Sequence, residues 1–144
     1  MGLFVVLLDQ FTKYLALTFL SGHDSLPIFP GIFHLTFVRN TGIAFGFFRE
    51  HESLLLVFIS LSLIVLIIWG LRMPPGQLFQ RWGLALILGG AIGNWIDRLR
   101  FGAVIDFFDF RVWPVFNVAD SAITIGVVLY LLVFLKKSNT ESKT

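Results

Sequence analysis

Nineteen consecutive residues, Ser53 to Leu71 (SLLLVFISLSLIVLIIWGL), carry no charge and are bounded by Glu52 and Arg72. As a helix rising about 1.5 Å per residue this run crosses about 28 Å, close to the hydrocarbon thickness of a bilayer. The rest of the chain agrees with it. The 144 residues are 56% hydrophobic and 14% charged, with a mean hydropathy of +0.84, whereas soluble domains run at about 45–50% apolar and about 25% charged. One domain of this size has no soluble core large enough to hide so much apolar surface. A water-soluble enzyme and a disordered chain are both excluded. With no cysteine, disulfides, zinc–thiolate sites and cysteine nucleophiles are excluded too, and the redox compartment stays open. A net charge of +2 is too small to argue for nucleic acid.

Three further segments read as spans: residues 1–20, 82–100 and 116–135. The first is interrupted by Asp9, Gln10 and Lys13. It makes a poor cleaved signal peptide, because it lacks a basic start and its charges fall where the apolar core should be. Four transmembrane helices, an all-α membrane fold, place both termini on one side. Arg72, Arg81, Lys136, Lys137 and Lys143 lie on that side and Arg39, Arg49, Arg98, Arg100 and Arg111 on the other. The first set is packed into shorter segments, which favours that side as cytoplasmic. Trp69, Trp82 and Trp113 fall near span ends, as interfacial aromatics do. Between the spans, residues 28–48 contain the alternation His34-Leu35-Thr36-Phe37 and then Asn40-Thr41-Gly42, which predicts a small β-hairpin on the membrane surface, turning at Asn-Thr-Gly. Residues 101–116 are rich in aromatics around Asp106 and Asp109 and are expected to rest at the headgroup level. Residues 1–137 form one membrane domain, followed by a polar tail over 138–144 expected to fray.

Polar residues within spans are costly, so each raises a functional question. Asp9 and Lys13, at i and i+4, suit a neutralising pair that snorkels to an interface as well as they suit function. Asn94, Asp97 and Arg98 share one face of the third helix; Arg98 can clamp substrate or pair with Asp97, and Arg100 suits phosphate anchoring. Asn40 suits a left-handed turn position. Asn117 and Asp120 have the form of an N-cap with an acidic N3 residue, which accounts for both without catalysis. It does not account for Asp106, a second carboxylate brought to the same side fourteen residues earlier. Two carboxylates in a partly dry site share a proton, one activating water while the other polarises a carbonyl. A small multi-span transporter or lipid-binding protein is the competing class, and would hold its carboxylates near the bilayer midplane. A metal-dependent hydrolase is disfavoured: His23, His34 and His51 are scattered and the carboxylates lack a ligand spacing.

Five stretches carry a resemblance to a known family: Asp9-Gln10-Phe11-Thr12-Lys13; Asn40 to Phe45; Gly89 to Arg98; Val104-Ile105-Asp106-Phe107; and Phe116-Asn117-Val118-Ala119-Asp120-Ser121. In this order, and over residues 3 to 136, the chain resembles the signal peptidase II family, the bacterial lipoprotein signal peptidases. The Gly-Asn-x-x-Asp-Arg block followed by Val-Ile-Asp-Phe and Phe-Asn-x-Ala-Asp is the specific part. The resemblance implies an aspartic endopeptidase of the plasma membrane that cleaves prolipoproteins before a diacylglyceryl-modified cysteine. Asp106 and Asp120 are its implied catalytic dyad. Asp9, Asn40, Asn94, Arg98 and Asn117 match the family's other polar site positions, and Lys13 and Asp97 complete the set expected to bind substrate or support the dyad. It further implies a β-cradle around residues 28–48, cytoplasmic termini, a site near the outer face, and no cofactor or metal. The expected partners are diacylated prolipoproteins and membrane lipids, not nucleic acid, acting on a monomer. Asp109 lies outside the motifs and is expected to be a solvated loop carboxylate. Family members carry a longer apolar lead-in; here eight residues precede Asp9, about 12 Å of helix, which leaves two expectations, a short first span or a chain that begins at an internal or trimmed start.

Overall fold

The computed structural model describes residues 1–22, 25–42 and 52–141. Its elements in chain order are α1 (Gly2–Phe19), β1 (Leu26–Phe29), β2 (Phe33–Asn40), α2 (Glu52–Arg72), α3 (Leu78–Phe101), β3 (Val104–Asp109) and α4 (Val118–Glu141). Three helical segments are long and apolar enough to cross a membrane: Gly2–Phe19, Ser53–Arg72 and Val118–Leu135. In α2 almost nothing is buried, and Leu54, Phe58, Leu61 and Val65 are each more than half exposed. Such a helix has its solvent in lipid, not in water.

The sequence predicts a fourth span at 82–100, and α3 is the helix found there. Its 24 residues are long enough, at about 36 Å, but Gln80, Arg81, Asn94, Asp97, Arg98 and Arg100 lower its apolarity. Its polar residues Gln80, Asn94 and Asp97 are buried, because α3 packs against each of the other three helices. The close approach rests on small residues. A Cβ on Gly83 would sit 2.8 Å from the Gly126 carbonyl oxygen, and one on Gly90 would overlap the Ala119 carbonyl. The pairs 83 with 126 and 90 with 119 keep a constant index sum, so α3 and α4 run antiparallel along a seam of small residues at heptad spacing. On the other side, Trp95 Nε1–H donates to Ser60 Oγ at 2.9 Å, tying α3 to α2.

The segments between α1 and α2 and between α3 and α4 form one antiparallel sheet of order β1-β2-β3, which corrects the expected hairpin in two ways. The turn lies at residues 29–32, where Ile32 N–H donates to Phe29 O at 3.0 Å and Gly31 adopts φ +77°, not at Asn-Thr-Gly. The second partner of β2 is β3, from the aromatic segment expected to lie at the headgroups, with Val38 opposite Asp106 and Asn40 opposite Val104. Residues 43–48 of the expected cradle, Arg49 and the histidines His23 and His51 fall outside the described residues.

Gly102, at φ +66° with its N–H on Arg98 O at 3.0 Å, ends α3 and turns the chain directly into β3. Arg39 Nη2–H donates to Phe101 O at 3.0 Å and joins β2 to the same helix end. Beyond β3 the chain returns, and Phe116 O accepts the N–H groups of Phe107 and Phe108 at 3.0 and 2.8 Å. The exposed edge of β3 is thereby covered. Ile105 and Phe107 pack with Ala16 and Leu20 into a core under the sheet. At the other end α4 continues to Glu141, through residues expected to fray; residues 142–144 lie outside the described range.

Because the seam leaves no room for a side chain, Gly90→Val is expected to cost about 3 kcal/mol or more, read as a lower melting temperature in detergent. Gly22→Ala, with nothing described within 4 Å of the added Cβ, is expected to leave the melt unchanged. Equal melts for the two variants would contradict the packing.

Candidate functional site

Lys13 is an ammonium inside a membrane helix, 2% exposed, and each of its three N–H groups has a partner. Asp9 Oδ2 lies at 2.9 Å, Asp97 Oδ2 at 2.8 Å and Asn94 Oδ1 at 2.8 Å. The snorkelling expected of Asp9 and Lys13 does not occur, because a partner carboxylate on α3 meets the ammonium where it stands. The remaining oxygens are also used. Asp9 Oδ1 accepts the Ala119 N–H at 2.9 Å, an otherwise unpaired donor of the first turn of α4. Asp97 Oδ2 accepts the Ile105 N–H at 3.1 Å and Asp97 Oδ1 accepts Gln10 Nε2–H at 2.9 Å. One buried cluster therefore joins α1, α3, β3 and α4. Gln10 was not singled out by sequence reasoning, although its place beside Asp9 inside a span was the available signal.

The ammonium also sets the direction of two amides. It can only donate, so it faces the Asn94 oxygen and the Asn94 NH2 points away, donating to Asp120 Oδ1 at 2.8 Å. The same Asn94 oxygen accepts from Asn117 Nδ2 at 3.1 Å. That turns the Asn117 NH2 toward Asp106 Oδ1, at 2.7 Å, and the Asn117 oxygen toward the Asp120 N–H, at 2.8 Å. Asp120 Oδ2 in turn accepts the Asn117 N–H at 3.3 Å. The reciprocal pair is the cap read from the sequence, and its spare NH2 binds the other aspartate. Asp106 and Asp120 are thus brought to two sides of one asparagine.

Asn40 completes the surround from β2. It has no left-handed backbone: Arg111 is the one non-glycine residue with positive φ among the described residues. Its Oδ1 accepts the Gly42 N–H at 2.9 Å and its Nδ2–H donates to Asp106 Oδ2 at 2.9 Å. Asp106 is 1% exposed, and this burial raises its carboxyl to about 6. Asn40 and Asn117 oppose the rise through their hydrogen bonds, and the nearby charge of Asp120 adds to it.

One of the two readings of Arg98 is not found, and the expectation for Asp109 is corrected. Arg98 does not pair with Asp97, which Lys13 has taken. Its Nη1–H reaches only the Asn94 carbonyl, at 3.5 Å, and its Nε is buried with no hydrogen-bond partner among the described residues. Arg98 borders a small cavity of about 30 Å³ with Thr41, Leu55, Leu56 and Gly102. Asp109 is not solvated but 6% exposed, at the end of β3. Donation from the Thr36 hydroxyl at 2.7 Å and the Arg111 N–H at 2.8 Å holds its carboxyl below the usual range.

The family model for signal peptidase II matches residues 1–136. The chain is 45% identical over 129 residues to the lipoprotein signal peptidase of Moorella thermoacetica, covering 90% of this chain and 86% of that one. It is 48% identical over 134 residues to that of Caldanaerobacter subterraneus, covering 91% and 92%. A solved bacterial membrane enzyme superimposes with a TM-score of 0.87 at 34% identity, over 96% of this chain and 87% of the other. A second gives 0.86 at 35% identity, over 94% and 90%. With its apolar helices and this buried polar cluster, the chain belongs to the signal peptidase II family, the multi-pass membrane peptidases that remove signal peptides from lipoproteins.

Proposed function

We propose that this chain is an aspartic endopeptidase that cuts diacylglyceryl-modified prolipoproteins before the lipidated cysteine, with Asp106 and Asp120 as its dyad. The observation that carries the proposal is the position of the two carboxylates on either side of the Asn117 amide. Four carboxylates (Asp9, Asp97, Asp106, Asp120) and two cations (Lys13, Arg98) gather around this site. The excess of negative charge favours retention of one proton on the dyad. Asp106, the more buried member and the one shifted to about 6, holds that proton. Asp120, half-buried in the first turn of α4, is then the base. Asp120 takes a proton from water as the water oxygen attacks the carbonyl preceding the cysteine. Asp106 donates its hydrogen to the developing tetrahedral oxygen; on collapse the C–N bond breaks, Asp120 gives the proton it took to the leaving amine and one hydroxyl of the intermediate returns a proton to Asp106. Arg98, with Nη groups not held by a carboxylate, clamps substrate carbonyls or lipid phosphate.

In this reading α3 is the fourth crossing, so the chain forms one domain with both termini cytoplasmic and the sheet at the outer face. Substrate enters sideways from the lipid, so no soluble pocket is required. A transporter would hold its carboxylates where both sides can reach them; here they collect at the sheet end of the helices, which favours a hydrolase.

Three outcomes test the proposal on a purified diacylated prolipoprotein. Asp106→Asn and Asp120→Asn are each expected to lower kcat by about 10²–10⁴-fold or more, with melts in detergent close to that of the parent; full turnover by either variant would end the dyad assignment. Asp106 acts as its neutral form, present below about pH 6 and lost above it. The free-enzyme kcat/KM is therefore expected to fall about tenfold per unit at higher pH, and a profile that climbs from pH 6 to 8 would reject Asp106 as the acid. Lys13→Met leaves Asp9 and Asp97 uncompensated and is expected to cost about 3–5 kcal/mol of stability. Adding Asp9→Asn should restore folding but not kcat, with KM unchanged, because the two amides lose the ammonium that orients them. Recovery of both would leave Lys13 no part beyond charge balance.

A further inference from the structure

Asp120 also lines a groove of about 420 Å³ with Trp113, Phe116, Ser121, Thr124 and Ile125. Its two hydroxyls are already used: Ser121 Oγ–H donates to Asn117 O at 3.0 Å and Thr124 Oγ1–H to Asp120 O at 2.8 Å. The indole N–H of Trp113 is then the one side-chain donor left among the lining residues, so the groove offers little to a peptide backbone that needs its polar groups met. A helix is about 10–12 Å across with its side chains, so a groove of this volume would hold about one turn of it. A single hydrocarbon chain is narrower and makes no polar demand. The groove also runs into lipid: Ile125, Val128 and Leu132, on one face of α4, are 59%, 50% and 62% exposed.

We propose that this groove takes one acyl chain of the lipidated substrate, with Trp113 as the side chain that sets how well a long chain is held. The inference rests on the function proposed above and adds a place for the lipid beside the reacting carboxylate. Trp113 suits the part because its loop is fixed while its ring is free. Arg111, at φ +65°, is clasped to Asp109 through its N–H at 2.8 Å and its Nη1–H at 3.2 Å. Val112 N–H closes a tight turn onto Phe110 O at 2.8 Å. Phe110 stacks on Phe116 with ring centroids 5.9 Å apart and planes 9° apart. From this base Trp113 projects 69% exposed, an apolar wall whose indole N–H has no hydrogen-bond partner among the described residues. An acyl chain drawn from the bilayer between this wall and α4 brings the lipidated cysteine, and with it the bond to be cut, next to Asp120.

The test uses the full chain in mixed micelles and two synthetic lipopeptides of one sequence, with dipalmitoyl or dioctanoyl glyceryl groups at the same micellar mole fraction. Trp113→Ala is expected to raise KM for the palmitoyl substrate about tenfold, the factor that ~1.4 kcal/mol of lost contact produces. Both kcat values and the octanoyl KM should stay within about twofold, so the long-over-short preference collapses. Trp113→Phe, which keeps an aromatic wall, should retain most of the preference, and Val112→Ala, on the same loop but outside the groove, all of it. An unchanged preference in Trp113→Ala, or an equal loss of kcat on both substrates, would overturn the inference. Wild-type enzyme that cuts neither lipopeptide would be a different result, overturning the proteolytic reading and this inference with it.

Discussion

The Lys13 ammonium and its three acceptors are the interaction on which the rest of the structure depends. In a bilayer no water is available to replace a lost partner, so a buried charge is either matched inside the protein or not tolerated. Each acceptor lies on a different structural connection. Asp9 shares the ammonium with the first turn of α4 through the Ala119 N–H, Asp97 with the start of β3 through the Ile105 N–H, and Asn94 with Asp120. A buried ion pair alone is weak evidence for stability. Here its value lies in register, since α4 and β3 can each dock on α1 and α3 in one position only.

That register also places the two aspartates of the proposed dyad. Two aspartates of the same type receive different environments because one arrives on a buried strand and the other in the first turn of a helix. Asp106 loses its hydration to the core, while Asp120 keeps a partly open face and the dipole of α4. Asn117 joins them without allowing them to become equivalent: its NH2 binds one carboxylate and its oxygen caps the helix that carries the other. In the proposed reaction that difference makes Asp106 the acid and Asp120 the base.

How much of this was legible in the sequence varies with the physics of each part. A run without charge locates α2, and apolar runs broken by few charges locate α1 and α4, because hydrocarbon solvent leaves a compositional mark. The cap at Asn117 and Asp120 is local, so four residues are enough to read it. The sheet was only half legible: the alternation at His34 to Phe37 marks β2, but its partner β3 lies some seventy residues away, and nothing local indicates such pairing. The Asp97 partner of Lys13 was missed for the same reason, since the nearer carboxylate, Asp9, and the nearer cation, Arg98, each suggested a local pair. The small-residue seam of α3 and α4 left a signal, glycines and an alanine at heptad spacing, that shows its meaning only when both helices are read together.

The central claim is that the charge on Asp120 and the proton on Asp106 depend on each other. Selective ¹³C labelling of aspartate carboxyl groups, followed by NMR titration in detergent, measures this directly. In the parent protein the Asp106 signal should titrate near 6. With Asp120→Asn the neighbouring negative charge is gone and the midpoint should move down, with burial still holding it above the ordinary carboxylate value of 3.8. An Asp106 midpoint that stays where it was in that variant would show two independent carboxylates, and the shared-proton account would be wrong.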